Sequence, residues 1–240
     1  MKTKSITLQA LISASLALTA CAQSTKPTHD EAAPALAEAA RVFSFDDAEA
    51  GKTPAGFTTG LTGGGGAVRW EVQEVEGAPS GGKVLSQLSN DRTNARYPHV
   101  VRDDFTAADV DVSVKFKTLS GEVDASGGLV FRYLDDGNYY VVRANALEGN
   151  VVAYKTEGGR RSSIGVRGRG DAYGVNVKVP HQKWNSLRVI ARGKVFEVFL
   201  NGRKIFEVED DTFTKPGKVG LWTKADAVTQ FDDLTAASLD

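Results

Sequence analysis

The stretch Gly128–Lys155, GLVFRYLDDGNYYVVRANALEGNVVAYK, predicts three β-strands joined by two tight turns. Apolar and polar residues alternate along it, which is typical of strands with one buried side. Its polar half is rich in arginine, tyrosine and asparagine. The stretch therefore predicts a small antiparallel sheet whose polar face is a candidate recognition surface.

The pairing of the strands decides which side chains share a face, because a one-residue slip exchanges the two faces. A first hairpin with Arg132 opposite Tyr139 turns two apolar pairs inward: Phe131 with Tyr140, and Leu129 with Val142. A second hairpin with its turn at Ala146–Gly149 sets two pairs outward: Arg143 with Val152, and Val141 with Tyr154. Directly opposed side chains lie ~5 Å apart, so Arg132, Tyr139, Arg143 and Tyr154 are expected to be near neighbours.

This predicted face suits a sugar ligand. Aromatic rings stack on the apolar C–H faces of a sugar, and guanidinium or amide groups bind its hydroxyls or a carboxylate. The candidate ligand-binding residues are Arg132, Tyr139, Arg143, Asn145, Glu148 and Tyr154. The alternative is that tyrosine and arginine merely cover an exposed sheet, since both side chains cover apolar surface well.

Short alternating segments continue on both sides of this stretch. Val110–Phe116 alternates apolar with polar residues, and Asn201-Gly202 is a strong signal for a two-residue hairpin turn. No long amphipathic helical pattern follows residue 41. About a dozen short strands with frequent turns predict an all-β sandwich of two antiparallel sheets.

Composition excludes several classes of protein. The formal net charge is −1, whereas a nucleic-acid-binding domain carries a strongly basic face. The three histidines, His29, His99 and His181, are scattered and show no zinc-ligand spacing. The glycine run Gly63–Gly66 leads into a strand pattern rather than a helix, which argues against a phosphate-binding loop.

The amino-terminal segment indicates export. Lys2 and Lys4 precede an apolar segment that is too short to span a membrane. Leu18-Thr19-Ala20-Cys21 resembles the lipobox of bacterial lipoproteins, which implies a signal peptide over 1–20 and lipid attachment at Cys21. An ordinary secretory signal is the alternative. Residues 21–40 form a small-residue tether, and residues 41–240 form the folded domain.

Motifs along the chain resemble the concanavalin A-like lectin/glucanase superfamily, the laminin G-like jelly rolls. The motifs are Phe43-Ser44-Phe45-Asp46, Gly128–Tyr133, Asn138-Tyr139-Tyr140, Trp184–Val189, Val198–Gly202, Gly217–Trp222 and Phe231–Leu234. Within the superfamily, the chain looks most like the branch of 3-keto-disaccharide hydrolase domains. The resemblance covers roughly residues 41–240 and implies a jelly-roll β-sandwich.

The resemblance implies less about chemistry. Glucanases of the superfamily carry an acidic triplet on one strand, and this chain has none, so no catalytic residue is assigned; Glu148 is the one acid–base candidate. Several members bind calcium where the first and last strands meet, which implies Asp46, Asp232 and Asp233 as ligands of a structural calcium ion. Calcium takes such oxygen ligands.

These observations predict a lipid-anchored module that binds carbohydrate at the cell envelope, on its periplasmic or surface side. Ala22 stands where an inner-membrane lipoprotein often has aspartate, which favours the outer membrane. The expected partners are a glycan or small sugar and the membrane, with no nucleic acid. The alternatives are a glycoside hydrolase of the 3-keto-disaccharide type and a purely structural or partner-binding role.

Overall fold

The computed structural model describes residues 40–240, and every regular element in this range is a β-strand. The predicted signal peptide, Cys21 and the tether up to residue 39 lie outside the described residues. Within residues 40–240 there is no helix long and apolar enough to cross a membrane. The described part of the chain is therefore all-β, as the alternating pattern predicts.

Sixteen strands form two eight-stranded antiparallel sheets, A and B. Sheet A contains β1 (Arg41–Phe43), β3 (Trp70–Glu74), β4 (Lys83–Gln87), β6 (Val110–Ser120), β12 (Asn185–Arg192), β13 (Val195–Leu200), β14 (Arg203–Glu209) and β16 (Val228–Ser238). Sheet B contains β2 (Phe57–Gly63), β5 (Arg96–Ala107), β7 (Ser126–Asp135), β8 (Asn138–Asn145), β9 (Asn150–Glu157), β10 (Arg160–Ser163), β11 (Val175–Asn176) and β15 (Gly217–Trp222).

The strand order shows why the stretch 128–155 is central. Sheet A runs β14–β13–β12–β6–β16–β4–β3, with β1 beside β16, and sheet B runs β10–β9–β8–β7–β15–β5–β2, with β11 beside β9. The stretch forms most of β7, β8 and β9, which lie next to one another in sheet B. The predicted two-sheet antiparallel sandwich is confirmed.

The main core lies between the sheets and is built from alternate residues of the strands. In β6, the inward residues are Val110, Val112, Val114 and Phe116, as predicted. Asn201-Gly202 forms the predicted turn, with Leu200 paired to Arg203. Both turn residues have positive φ, 50° and 79°, the conformation that a two-residue hairpin turn requires.

Most of the predicted register in sheet B is confirmed. The pairs are Leu129 with Val142, Phe131 with Tyr140, Val141 with Tyr154, and Arg143 with Val152. The predicted pair of Arg132 with Tyr139 is wrong. The register shifts after Phe131, and pairing resumes at Asp135 with Asn138, so three residues of β7 stand opposite Tyr139 alone.

This β-bulge has a visible structural basis. Arg132 has a φ of 47°, which interrupts the alternation of side chains along the strand. The neighbouring strand β15 places Gly217 against the bulge, where an added Cβ would lie 2.4 Å from the carbonyl carbon of Arg132. Glycine at this position therefore lets the two backbones approach closely.

Candidate functional site

A second, smaller apolar cluster lies on the face of sheet B that is turned away from sheet A, which we call the outer face. Its buried members are Val101, Val130, Tyr139, Val141, Val152, Tyr154 and Trp222, with Tyr97 and Tyr133 packed against them. Period-two alternation produces this cluster, because each strand of sheet B sends every second side chain outward. The outer face is thus a second packed surface rather than a bare sheet.

Four of the predicted site residues lie on the outer face and are buried: Tyr139, Arg143, Asn145 and Tyr154. Side chains from the segment after β9 contribute to the covering. Arg161 of β10 lies over Tyr154, and Tyr173, in the loop before β11, packs edge-on against the same ring. The predicted aromatic and arginine side chains therefore form a buried layer on sheet B, which we call the aromatic floor. Arg161 and Tyr173 cover part of this layer.

Arg132 does not belong to this face, which corrects its predicted position. The bulge directs its guanidinium to one end of the sandwich, where it donates to the backbone oxygens of Ala108, Phe213 and Gly193. The same guanidinium lies 3.2 Å from Asp109 Oδ1 and over the ring of Phe196. Arg132 thus ties together three chain connections, and its contacts are those of a structural residue.

Arg143 is the centre of the polar part of the outer face. Its Nη1 donates to Asn150 Oδ1 at 3.1 Å. Its Nη2 contacts three oxygens: Glu148 Oε2 at 2.7 Å, Tyr154 Oη at 3.1 Å and Tyr173 Oη at 3.2 Å. We call these five residues the Arg143 cluster. It joins a buried guanidinium to the two members that reach solvent, Glu148 and Tyr173.

The exposed members of the cluster are held in place. The side chain of Glu148 is 36% exposed, and Tyr173 is 51% exposed. Glu148 also accepts from Asn150 Nδ2 at 3.0 Å, and the hydroxyl of Tyr173 is hydrogen bonded to that of Tyr154. We call Glu148 and Tyr173 the rim residues. Their polar groups are therefore oriented before any ligand binds.

Glu148 and Tyr154 of the Arg143 cluster differ in ionisation state. Burial alone would raise the pKa of Glu148, but the hydrogen bond and positive charge of Arg143, together with the hydrogen bond from Asn150, outweigh it and lower the pKa. Glu148 is therefore a carboxylate at neutral pH. Burial raises the pKa of Tyr154, and the positive charge of Arg143 only partly opposes this shift, so its hydroxyl stays protonated.

Asn145 connects the cluster to a buried acid. Its Oδ1 accepts from the backbone N–H groups of Leu147 and Glu148, which fixes the β8–β9 turn. Its Nδ2 donates to Asp124 Oδ2 at 3.1 Å, and Lys224 Nζ lies 3.5 Å from the same oxygen. Burial raises the pKa of Asp124. Asn145 therefore positions the turn that carries Glu148.

An aromatic stack extends the outer face away from the Arg143 cluster. The rings of Tyr97 and Trp222 are stacked at 5.6 Å with an angle of 15° between their planes. The guanidinium of Arg161 lies over both rings and over Tyr154. The sequence interpretation missed this stack, because β5, β15 and β10 are distant in the chain and meet only in the folded sheet.

His99, Tyr133 and Asp136 form a separate polar group on the outer face. His99 Nε2 lies 2.8 Å from Asp136 Oδ1, and Tyr133 Oη donates to the same oxygen at 2.7 Å. Burial lowers the pKa of His99, although its bond to Asp136 acts in the opposite direction. The group fastens the β7–β8 turn to β5.

The three carboxylates predicted to bind calcium meet around one loop. Asp46 Oδ1 accepts from the backbone N–H groups of Gly82 and Lys83. Asp232 accepts from the backbone N–H of Ser80, and Lys115 forms an ion pair of 2.7 Å with Asp233.

Hydrogen-bond donors therefore already surround these carboxylates. No group of three or more His, Cys, Asp or Glu residues within 40–240 is arranged to hold a metal ion. The hydrogen bonding seen here does not fit a preformed calcium site, and the bound calcium stays a prediction.

Comparisons with known proteins agree with this architecture. The family model described as a 3-keto-alpha-glucoside-1,2-lyase-like domain matches residues 50–236. No curated protein matches the chain.

Two solved structures are similar to the chain in fold. Carbohydrate-binding module CBM66 from Bacillus subtilis is 22% identical with a TM-score of 0.58, and the alignment covers 76% of this chain and 96% of that one. The cellulose-induced protein Cip1 is 14% identical with a TM-score of 0.53, over 76% of this chain and 91% of that one. At these identities the likeness describes the fold, which agrees with the predicted jelly roll.

Proposed function

The chain belongs to the family of 3-keto-alpha-glucoside-1,2-lyase-like domains, and we propose that it binds carbohydrate on the outer face of sheet B. One observation carries the proposal: Arg143 holds an exposed carboxylate, Glu148, and an exposed phenol, Tyr173, at fixed positions beside an aromatic floor. The structural neighbour CBM66 is by its name a carbohydrate-binding module, which supports the proposal.

The chemistry of the rim matches that of a sugar. A carboxylate accepts hydrogen bonds from sugar hydroxyls, and a phenol offers both a hydroxyl and an apolar ring face. Because Arg143 already orients both groups, binding does not need to order them, which lowers its entropic cost. Burial of Arg143 and Tyr154 leaves the rim residues as the ones that a ligand contacts.

A glycan array probed with the full chain in detergent tests this proposal. Glu148→Gln removes the charge at nearly constant shape, and Tyr173→Ala removes the exposed ring. Each variant is expected to weaken binding about tenfold or more, as loss of a charged or aromatic contact does at a binding site.

Trp184→Ala is the matched control, because Trp184 precedes β12 of the opposite sheet and lies under Lys117. It should bind as the unmodified chain does. Equal binding by Glu148→Gln, Tyr173→Ala and Trp184→Ala would place any glycan elsewhere on the protein.

The family suggests a second candidate, a lyase that acts on 3-keto sugars. Elimination beside a keto group needs a base to take the adjacent proton. Glu148 is an ionised, partly exposed carboxylate at the rim of the cluster, and it would serve as that base. Product analysis with a 3-keto-disaccharide separates the two candidates: released sugar that Glu148→Gln abolishes favours the lyase, and binding without turnover favours the module.

We also propose that the domain is displayed at the cell envelope through lipid attached to Cys21, with the outer membrane as the expected site. The proposal rests on the lipobox pattern Leu18–Cys21 and the small-residue segment that follows it. Labelling of cells with a radioactive fatty acid should mark the unmodified protein and leave Cys21→Ser unlabelled. Equal labelling of both proteins would contradict it, and fractionation would identify the membrane.

A further inference from the structure

We infer that the ligand of the outer face is an acidic glycan and that Arg161 binds its carboxylate or sulfate group. The inference rests on the proposed function, because it assigns a ligand class to the same face. It goes beyond that function because it assigns a negative charge to the ligand and names the residue that binds the charged group.

Arg161 is placed by the sheet. It lies on the edge strand β10 opposite Thr156 of β9, so its side chain points to the outer face like that of Thr156. The guanidinium carbon is 4.3 Å from the ring centroid of Tyr154 and 4.5 Å from that of Tyr97. The ring of Trp222 is 5.5 Å away. Three aromatic rings thus hold the guanidinium above the floor.

This cation has no polar partner within residues 40–240. Its side chain forms no hydrogen bond and no ion pair there, and its Nη1 is buried without an acceptor. Stacking uses the faces of the guanidinium and leaves its five in-plane N–H donors unused. A buried donor without a partner destabilises the folded protein, so an acceptor supplied by a ligand would recover part of this cost.

The contrast with Arg143 makes the unpaired state of Arg161 informative. Arg143 lies on the same face, and its two terminal nitrogens contact four oxygens of neighbouring side chains. The protein therefore pairs both terminal nitrogens of Arg143 and leaves its Nε without an acceptor, whereas no nitrogen of the Arg161 side chain has an acceptor within residues 40–240. A carboxylate or sulfate accepts two parallel N–H bonds from one guanidinium, whereas a neutral hydroxyl matches this geometry poorly.

The test uses the full chain in detergent and an array of neutral, carboxylated and sulfated glycans. Acidic glycans should dominate the bound set, and the carboxylated or sulfated identity of the strongest one distinguishes the two sources of charge. By calorimetry, its methyl-esterified or desulfated form should bind about tenfold more weakly or worse, because the bidentate charged contact is lost.

Arg161→Gln should weaken binding of the acidic glycan by a similar factor and leave the neutralised form almost unaffected. Arg160→Gln is the matched control, because it removes the same charge from the adjacent residue, whose side chain points to the opposite face. It should change the affinity less than about twofold, as expected for an exposed, salt-screened charge that makes no direct contact with the ligand. Circular dichroism of both variants checks that the fold is kept.

Two results would overturn the inference, and they separate it from the proposed function. If neutral glycans bind in a way that depends on Tyr173 and is unchanged by Arg161→Gln, the outer face binds sugar and Arg161 only covers the aromatic floor. If no glycan binds, or if Glu148→Gln and Tyr173→Ala have no effect, both the acidic ligand and the carbohydrate site are wrong.

Discussion

Arg132 and Arg143 lie on neighbouring strands of one sheet, and each is 1% exposed, yet they have different roles. Arg132 donates mostly to backbone oxygens of three chain connections at one end of the sandwich. Arg143 donates only to side chains, two of which reach solvent. Backbone acceptors are fixed by the fold, whereas side-chain acceptors can exchange a partner for a ligand. The hydrogen-bond partners of a buried arginine thus indicate whether it stabilises the fold or orients a binding site.

The largest effect is expected for Arg132→Met. The substitution removes the donor of three backbone carbonyl groups, in one buried and two partly buried hydrogen bonds, and of Asp109. Loss of one partner of a buried charged network costs about 3–5 kcal/mol. Urea unfolding followed by circular dichroism measures this change. The folded fraction should still bind the glycan with unchanged affinity, since the contacts of Arg132 lie away from the outer face. A loss below about 1 kcal/mol would remove the distinction between the two arginines.

Arg143→Met should have a smaller effect on stability and a larger one on binding. Glu148 and Tyr173 can turn to water after the substitution, while Asn150 and Tyr154 keep buried polar atoms. The expected loss is about 1–3 kcal/mol, the cost of unsatisfied buried groups. Glycan binding should be lost because the rim is no longer oriented. Retained affinity in the folded variant would mean that Arg143, like Arg132, only stabilises the fold.

Glu148→Gln should scarcely alter stability. Its bond to Arg143 lies at a partly exposed rim, and exposed ion pairs contribute about 0–1 kcal/mol. The unfolding midpoint in urea should therefore stay close to that of the unmodified chain, whereas binding falls. A large drop in the unfolding midpoint would indicate that Glu148 stabilises the fold rather than binding a ligand.

The His99–Asp136 pair offers a test that depends on pH. Burial lowers the pKa of His99, so the unfolded chain takes up a proton near its usual value of about 6.5 more readily than the native state. Stability contributed by the neutral imidazole is therefore complete above that value and declines as the pH falls below it.

Urea midpoints measured between pH 7 and 5 should fall less steeply in His99→Gln than in the unmodified chain. The pKa of Asp136 is also lowered, so the stability that its ionised carboxylate contributes is lost at lower pH. Asp124, whose pKa burial raises, acts in the opposite direction in both proteins. Parallel curves for the two proteins would show that His99 does not titrate on unfolding.

Much of the fold follows from local patterns. The alternation in β6 and in the stretch 128–155, together with the turn at Asn201-Gly202, predicts strands, faces and a hairpin that the structure contains. Four register pairs in β7–β9 are also confirmed. These features depend on residues that are close in sequence, which is why a local reading finds them.

The candidate site was predicted only in part. Arg143, Asn145, Glu148 and Tyr154 come together as the hairpin pairing implies, and their ligand-binding role stays a prediction. Tyr173 and Trp222 were missed, because they reach the outer face from a strand and a loop far along the chain. Arg161 stands in an arginine-rich segment together with Arg160, Arg167 and Arg169, and no local pattern distinguishes it from the other three.

Local sequence patterns predict the all-β character, the turns and the alternation that sorts residues into two faces, since these features depend on neighbours within a few positions. The position of Arg132 depends on tertiary contacts, because at the bulge after Phe131 the backbone lies close to Gly217 of β15. Tertiary contacts also cover the outer face and pair the terminal nitrogens of Arg143 while leaving those of Arg161 without an acceptor. Each of these outcomes requires contacts between distant segments, and a pattern along one strand carries no information about them.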